Sequence, residues 1–268
     1  MNDYVKQLEQ LILAQKEEIE LLKQRDRETD RRIRRMEAVR EIENVMARYV
    51  NYHTASMQQE TCELFCHHTP GPRLIFNGAI FDEWEGVERH FLRRMANAEE
   101  DLSGRLYWHD VVSPLIEVAA DGLSAKCIVS THGAETGWNK DGSLKALWSW
   151  GKYRFDFLKE DGVWRIYRLE FHQCMNTPYE GKGWVEEPCY DLIGNAPDFL
   201  KNGTPPDCMP NRRVKTPYQP LRLDTPECDV HNLRPSLPEP YDTYDFESVK
   251  DEDDTDWHVD VRTLWGQI

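Results

Sequence analysis

The chain has 268 residues, 40% of them hydrophobic, and a formal net charge of −15 at pH 7. This length suits one ordinary domain with appendages, or two small domains. The acidic balance argues against nucleic acid as the main partner, and no apolar run approaches the roughly 20 residues needed to span a membrane.

The amino-terminal stretch and the cysteines predict a cytoplasmic protein with free thiols. Residues 1–10 lack the basic start and the apolar run of a secretory signal. The seven cysteines are an odd number without a regular framework, so they do not predict a set of disulfides.

Residues 1–35 predict an amino-terminal helix outside the main domain. Its apolar residues recur at spacings of three and four, interrupted by Gln15, Asp26 and Thr29. Such a seam is typical of an oligomerisation helix, and it also fits an amphipathic helix packed on its own domain. The seam consists of Val5, Leu8, Ile12, Ile19, Leu22, Ile33 and Met36.

Several shorter elements follow before the longest regular pattern. A second helical pattern covers residues 39–53, and a short helix after it ends near His68. Two apolar triplets flank Asn77-Gly78, a strong signal for a tight hairpin. A further helix is predicted at residues 87–99.

Residues 104–175 predict a four-stranded antiparallel meander. Three Asp-Gly pairs separate four runs rich in Val, Ile, Trp, Tyr and Phe, and Asp-Gly tolerates the positive φ of tight turns. A curved sheet that carries several histidines and aromatic residues indicates a reaction chamber. The pairs are Asp121-Gly122, Asp141-Gly142 and Asp161-Gly162.

Residues 176–268 predict an extended tail. Recurring prolines forbid long helices and central strands, whereas the aromatic residues are atypical of a disordered linker. We expect the tail to lie over the domain or over a neighbouring subunit, with Trp257 and Trp265 as anchors. Its acidic residues within 242–256 are expected to attract the basic residues of 23–40.

The order of these elements resembles that of the SnoaL-like group in the nuclear transport factor 2-like superfamily. Three stretches within residues 36–175 carry the resemblance: EIENVMARYVNYH, YWHDVVSPLIEVAADGLSAKCIV and WGKYRFDFLKEDGVWRIYRLEF. It implies an α+β fold, a cone-shaped, curved antiparallel sheet wrapped around helices with a deep apolar pocket. Members of this group include cofactor-free dehydratases, isomerases, cyclases and a lyase that removes formaldehyde from diarylpropanes.

The resemblance also bears on assembly. Cones of this family commonly associate through the outer face of the sheet. Together with the amino-terminal seam, this predicts a homo-oligomer, either a dimer or a trimer.

His109 is the main catalytic candidate. It lies in YWHDVV, where related dehydratases place a pocket histidine, and an imidazole exchanges protons near neutral pH. The alternative is a core histidine that donates to a backbone carbonyl. Tyr49 matches a family position that faces the pocket. His53 stands where related dehydratases carry an acidic residue, and acts either as the acid or base or as a partner of the helix end.

The substrate-binding candidates lie on the strands of the meander. Side-chain alternation predicts that residues 149, 151, 153, 155 and 157 face the core, and that residues 148, 150, 152 and 154 face outward. The outward tryptophans then form a subunit interface or a substrate platform. The candidates are His132, Trp148, Tyr153, Arg168 and His172.

No cofactor or metal is expected. Cys62, Cys66, His67 and His68 resemble half of a zinc site, but no second pair of ligands follows. The sequence also lacks the dinucleotide fingerprint Gly-x-Gly-x-x-Gly, the phosphate-binding loop and the hydrolase motif Gly-x-Ser-x-Gly.

Two classes of function fit these features. The first is a cofactor-independent lyase that eliminates water, or a small carbonyl such as formaldehyde, from a hydroxylated aromatic small molecule. His109 would carry the proton, and Tyr49, His53 or an arginine would hold the leaving oxygen. An isomerase using the same pocket is not separable from the lyase by sequence. The second is a non-catalytic module that binds a small molecule or a peptide, which a backbone-bound His109 in an apolar pocket would favour.

Overall fold

The computed structural model describes residues 2–76, 79–95, 103–139, 141–186, 211–213 and 235–247, and it confirms the predicted α+β class. A long helix packs across a curved, open sheet of seven strands. The helices are α1 (Asn2–Thr54), α2 (Gln58–Cys62) and α3 (Glu83–Glu88), with a π-helix at Arg89–Met95 and a 3₁₀ turn at Gly183–Val185. The strands are β1 (Arg73–Phe76), β2 (Ala79–Asp82), β3 (Tyr107–Val118), β4 (Ser124–Trp138), β5 (Leu144–Glu160), β6 (Val163–Pro178) and β7 (Arg212–Arg213).

Helix α1 is continuous over 53 residues, where the sequence pattern predicted two helices. No Pro or Gly occurs before Pro70, so nothing in the backbone breaks the helix between the two patterns. Residues 3–37 are exposed, and burial begins at Ala38. The second pattern therefore forms the packed half of the same helix.

The predicted meander is confirmed as β3 to β6, in consecutive antiparallel pairs. Gly122, Gly142 and Gly162 have positive φ values of 72°, 83° and 80°, as the three Asp-Gly turns require. β1 joins β6 in parallel and β2 in antiparallel orientation, which extends the sheet past the meander. The predicted Asn77-Gly78 turn lies outside the described residues.

Three β-bulges change which face the strand residues occupy. The register between β3 and β4 shifts between Val112 and Leu115, where Ser113 has a φ of 53°. The register between β5 and β6 shifts twice, and each shift adds one residue to β6. An extra residue reverses the alternation of side chains beyond it. His109 and Val118 are therefore both buried, although an odd number of positions separates them.

The core lies between the second half of α1 and the concave face of the sheet. The predicted core residues of β5 are confirmed there: Tyr153 is 3% exposed, and Phe155 and Phe157 are fully buried. Trp148 and Trp150 lie on the convex face with exposures of 36% and 41%. The helical residues that pack against the concave face are Ala38, Ile42, Val45, Met46 and Tyr49.

The helix predicted at residues 87–99 begins earlier, with α3 at Glu83, and continues from Arg89 as a π-helix to Met95. Its last four predicted positions lie outside the described residues. A π-helix is frequent at functional sites. Within the part of the chain that the structure describes, no helix is both long and apolar enough to cross a bilayer.

The described part of the carboxy-terminal segment lies on the chain's own domain. β6 continues to Pro178, three residues beyond the predicted end of the domain. Within residues 235–247, Tyr244 donates a hydrogen bond to Asp156 at 2.7 Å, and the Tyr241 hydroxyl lies 3.1 Å from that of Ser124. The predicted anchors Trp257 and Trp265, and the acidic residues beyond 247, lie outside the described residues.

Candidate functional site

The candidate site is a row of residues across the concave face, one from each strand of the meander. The pairing registers place His109 of β3 opposite Gly133 of β4, Gly133 opposite Ser149 of β5, and Ser149 opposite Asn176 of β6. The side chains of His109, Ser149 and Asn176 are buried, with exposures of 6%, 1% and 1%. Three of these four neighbouring strands thus bring polar side chains to one side of a largely apolar surface.

Glu135 connects His109 to the far side of this row. Its carboxylate oxygen Oε2 lies 3.6 Å from Nε2 of His109, and its Oε1 accepts a 2.6 Å hydrogen bond from the amide of Asn176. The side chains of His109 and Glu135 are 8% and 10% exposed, so little water screens this pair. The amide orients the carboxylate, and the carboxylate faces one nitrogen of the imidazole.

Gly133 leaves the space that this arrangement needs. A Cβ atom at position 133 would lie 1.8 Å from the backbone oxygen of Trp108 and 3.0 Å from Nδ1 of His109. Any side chain at this position would force the two strands apart and displace the imidazole. Glycine is therefore required by the close approach of β3 and β4 beside His109.

Helix α1 supplies the groups that face this row. The ring of His53 lies 6.1 Å from that of His109 and stacks at 5.9 Å on Tyr49. Burial, and next the charge of His109, lower the pKa of His53 to about 3. His53 is therefore neutral at pH 7, and it cannot act there as a cationic acid.

Tyr49 and Tyr153 form a pair of buried phenols beside His53. Their ring centroids are 6.0 Å apart, and a hydrogen bond links their hydroxyl groups. Burial raises the pKa of both phenols well above the usual value of about 10. Both hydroxyls therefore remain protonated at neutral pH. One proton is used in the hydrogen bond between the two phenols, and the other is available for donation to a ligand.

Aromatic rings form the apolar part of the site. The ring of Phe171 lies 6.4 Å from that of His109 and 5.0 Å from that of Tyr153, and it stacks on Phe76 at 5.4 Å. Tyr107 of β3 lies beside His53 of α1, and its hydroxyl accepts a hydrogen bond from Arg105. A flat apolar molecule would find aromatic surface here next to a small number of polar groups.

Several buried polar atoms of the site have no hydrogen-bond partner. In native proteins most buried polar atoms are paired, and each exception asks for a reason such as a bound ligand or water. Among the described residues, the unpaired atoms on this face are His109 Nδ1, Thr131 Oγ1, Ser149 Oγ and Asn176 Oδ1, and His53 Nδ1 lies across from them. The site therefore carries unused capacity for hydrogen bonds.

The structure brings four of the predicted site residues together and separates the other four. His109, Tyr49, His53 and Tyr153 surround one site. The others lie on the convex face, on the opposite side of the sheet from His109: His132, Trp148, Arg168 and His172. Side-chain alternation, together with the bulges, accounts for this separation.

The convex residues Arg168, Glu170 and His172 form a cluster of their own. They share a face, and Arg168 and His172 are buried, with exposures of 1% and 7%. Glu170 lies 3.2 Å from the guanidinium of Arg168 and 3.0 Å from Nε2 of His172. Burial acts to raise the pKa of Glu170, but the hydrogen bond from His172 and the charges of His172, Arg168 and Arg154 outweigh it and hold the pKa at about 2.

Glu135, Asn176 and Ser149 were not among the site residues predicted from the sequence. The resemblance pointed to an acidic residue one turn after Tyr49, where this chain has His53, whereas the structure supplies a carboxylate from β4, the strand next to that of His109. The Asp121-Gly122 turn gives a partial signal, because the residues of β3 and β4 can be paired by counting outward from it. Without the bulge after Val112, however, this pairing places Glu135 on the face of the sheet opposite His109.

The half zinc site does not assemble. Cys62 and Cys66 are buried, and burial is the main cause that raises the pKa of each thiol to about 12. They are free thiols, as are Cys127 and Cys174, and within the described ranges no group of three His, Cys, Asp or Glu residues could hold a metal ion.

A family model described as a SnoaL-like domain matches residues 34–170. No curated protein matches the chain. Among solved structures, a candidate scytalone dehydratase from Novosphingobium aromaticivorans is 17% identical, with a TM-score of 0.45 over 58% of this chain and 94% of that one. A hexachlorocyclohexane dehydrochlorinase, LinA-type3 from Novosphingobium barchaimii, is 14% identical, with a TM-score of 0.44 over 56% of this chain and 94% of that one.

Proposed function

We propose that this chain, which belongs to the SnoaL-like domain family, is a cofactor-independent lyase that eliminates water, or a small carbonyl such as formaldehyde, from a hydroxylated aromatic small molecule. One observation carries the proposal. His109 is buried on the concave face, with one ring nitrogen towards Glu135 and the other without a partner.

The two ring nitrogens of His109 then have different tasks. A carboxylate facing Nε2 favours the tautomer that carries its proton on Nε2, because the carboxylate only accepts. Nδ1 is left with a free lone pair, which makes it the base. Glu135 stabilises the imidazolium that forms when Nδ1 takes a proton, and Asn176 holds Glu135 in place.

In the elimination of water, Nδ1 of His109 takes a proton from the carbon next to the one that bears the hydroxyl. The electron pair of that C–H bond forms the new double bond, and the C–O bond breaks. The departing oxygen receives the proton back from the imidazolium and leaves as water. In the elimination of formaldehyde, Nδ1 takes the hydroxyl proton, the O–H electron pair forms the C=O bond of formaldehyde, and the C–C bond breaks. The carbon that keeps the C–C electron pair then takes the proton from the imidazolium.

The phenols of Tyr49 and Tyr153 hold the substrate oxygen in this scheme. Their raised pKa values keep them protonated. One phenol donates to the other, and the remaining O–H donates a hydrogen bond to an oxygen that gains negative charge. His53 is neutral and serves as a further donor or acceptor rather than as an acid. The aromatic rings around them favour a substrate with an aromatic group.

The contacts of His109 also favour the lyase over a pure binding module. A binding module was expected to tie this histidine to the backbone, whereas its contacts are the Glu135 carboxylate and the rings of His53 and Phe171. An isomerase would use the same base, and would return the proton to another carbon of the same molecule.

The test is a screen of the purified protein against hydroxylated aromatic compounds, read by mass spectrometry. A lyase yields a product lighter by water, or lighter by formaldehyde with free formaldehyde in solution. An isomerase in heavy water yields a product that carries deuterium and has lost no atoms other than hydrogen.

The matched variants are His109→Ala and His68→Ala, the latter at an exposed histidine remote from the row. We expect His109→Ala to remove turnover and His68→Ala to retain it. Full turnover by a folded His109→Ala variant would overturn the proposed function.

A further inference from the structure

The amino-terminal part of α1 exposes an apolar stripe. Residues 3–37 are exposed throughout, about 50 Å of helix at 1.5 Å per residue. In a heptad labelled a to g, the stripe occupies positions a and d, with Val5 at a and Leu8 at d. Its members are 41% to 73% exposed: Val5, Leu8, Ile12, Ile19, Leu22, Ile33 and Met36.

This stripe points away from the chain's own domain. The residues of α1 that pack on the sheet continue the same heptads at positions c, f and g: Ala38 and Val45 at f, Ile42 and Tyr49 at c, Met46 at g. At 100° per residue, the centre of positions a and d lies roughly 160° from the centre of c and f. Among the described residues, the domain that buries the second stripe therefore does not cover the amino-terminal stripe, which is open to another occupant.

We infer that residues 5–37 form a parallel, two-stranded coiled coil with the same residues of a second copy of this chain. This inference does not depend on the proposed function. Position a holds β-branched residues, Val5, Ile12, Ile19 and Ile33, and position d holds Leu8 and Leu22. β-Branched residues at a with Leu at d favour two parallel strands.

The charged residues beside the stripe fit the same arrangement. In a parallel pair, each g residue faces the e residue five positions further along the other helix. The three charged g residues then meet opposite charges in the second copy: Glu18 faces Lys23, Arg25 faces Asp30, and Arg32 faces Glu37. Symmetry doubles the set to six attractive pairs.

Polar residues in the stripe limit the stability of the coiled coil. Asp26 occupies an a position, and Gln15 and Thr29 occupy d positions. A polar residue at position a lowers stability but helps to specify register and the number of strands. The seam extends over nearly five heptads, more than the three or four that a coiled coil needs.

A charge exchange in the full-length protein tests the pairing. Glu18 has no charged residue three or four positions away on its own helix, so Glu18→Lys acts between chains. We expect Glu18→Lys to raise the dimer dissociation constant roughly tenfold, because two attractive pairs become repulsive. Combining it with Lys23→Glu should restore most of the affinity, since the new pair is again attractive. Analytical ultracentrifugation supplies the dissociation constants.

Cysteine cross-linking tests the parallel register. Ile12→Cys at position a should form a disulfide between two copies under mild oxidation, because equivalent a residues face each other in register. Glu17→Cys at the outward position f is the matched control and should not cross-link. The parent protein, with its native cysteines, gives the background.

These measurements either support or contradict the coiled-coil dimer. Support requires a mass of twice 31.6 kDa for the full-length protein, charge rescue by the double variant, and cross-linking at position 12 alone. A monomer at micromolar concentration, a trimer, a double variant no tighter than Glu18→Lys, or equal cross-linking at positions 12 and 17 would each overturn it.

Discussion

The two faces of the sheet each carry a histidine beside a glutamate, but the two pairs are used differently. On the convex face, Glu170 contacts His172 at 3.0 Å and Arg168 at 3.2 Å, and its pKa is held at about 2. On the concave face, Glu135 lies 3.6 Å from His109, and the other nitrogen of His109 has no partner.

The difference shows how residue types alone mislead about function. The carboxylate on the convex face is held by both Arg168 and His172, so its pair contributes to stability. Buried Nδ1 atoms without a hydrogen-bond partner occur on both His109 and His172, so the pairs differ in their surroundings. The concave pair faces the rings of His53 and Phe171, which offer an aromatic ligand a surface beside polar groups. Position on the sheet, rather than the identity of the residues, separates the structural pair from the candidate catalytic pair.

The largest expected difference between the faces is in turnover. His109→Ala should lower kcat by about a thousandfold or more, because the base is lost. His172→Ala should keep turnover within about twofold, since His172 lies on the other face. Steady-state kinetics on the lyase substrate checks both. A loss of turnover in a folded His172→Ala variant would instead support the sequence prediction that His172 belongs to the site.

Replacing each of the two carboxylates by an amide sharpens the comparison of the two faces further. Glu135→Gln should lower kcat by about 100-fold, because a neutral amide stabilises the imidazolium of His109 poorly and does not favour one tautomer. Glu170→Gln should leave kcat near that of the parent. Similar kinetics for the two variants would mean that Glu135 has no part in proton transfer.

The free energy of unfolding, in contrast to kcat, should depend on Glu170 of the convex face. Because the folded pKa of Glu170 is depressed from 4.5 to about 2, its ionisation contributes about 3 kcal/mol to the free energy of unfolding above pH 4.5. This contribution is lost as the pH falls through 4.5 towards 2. Urea unfolding at pH 7 and at pH 3 should show a large cost of Glu170→Gln at pH 7 and a smaller one at pH 3. An equal cost at both values would contradict the assigned charge pairing.

The smallest expected effect concerns Ser149. Its buried hydroxyl has no hydrogen-bond partner among the described residues, so Ser149→Ala should leave the free energy of unfolding unchanged or raise it by about 1 kcal/mol. The same variant should raise KM several-fold if the hydroxyl binds substrate. Ser130→Ala, at an exposed position of β4, is the control and should change neither value. A destabilised Ser149→Ala variant with unchanged KM would assign the hydroxyl to the fold.

Local signals in the sequence were sufficient for much of the fold. The Asp-Gly pairs predicted the turns of the meander because Gly adopts the positive φ that these turns require. Alternation along β5 predicted that Tyr153 and Phe155 face the core, since no bulge interrupts the alternation of β5 itself. His109, Tyr49 and His53 were identified by resemblance and do lie around one site, although their roles stay predictions.

What the sequence determined by itself was therefore the four strands of the meander, their turns and the apolar stripe of α1, because these depend on residues close together in the chain. The tertiary structure decided which residues share a site. The bulge after Val112 turns His109 towards Glu135, and the bulge in β6 that follows His172 brings Asn176 to the same face. One extra residue in a strand reverses every side chain beyond it, and the register that reveals this is set by pairing with distant strands.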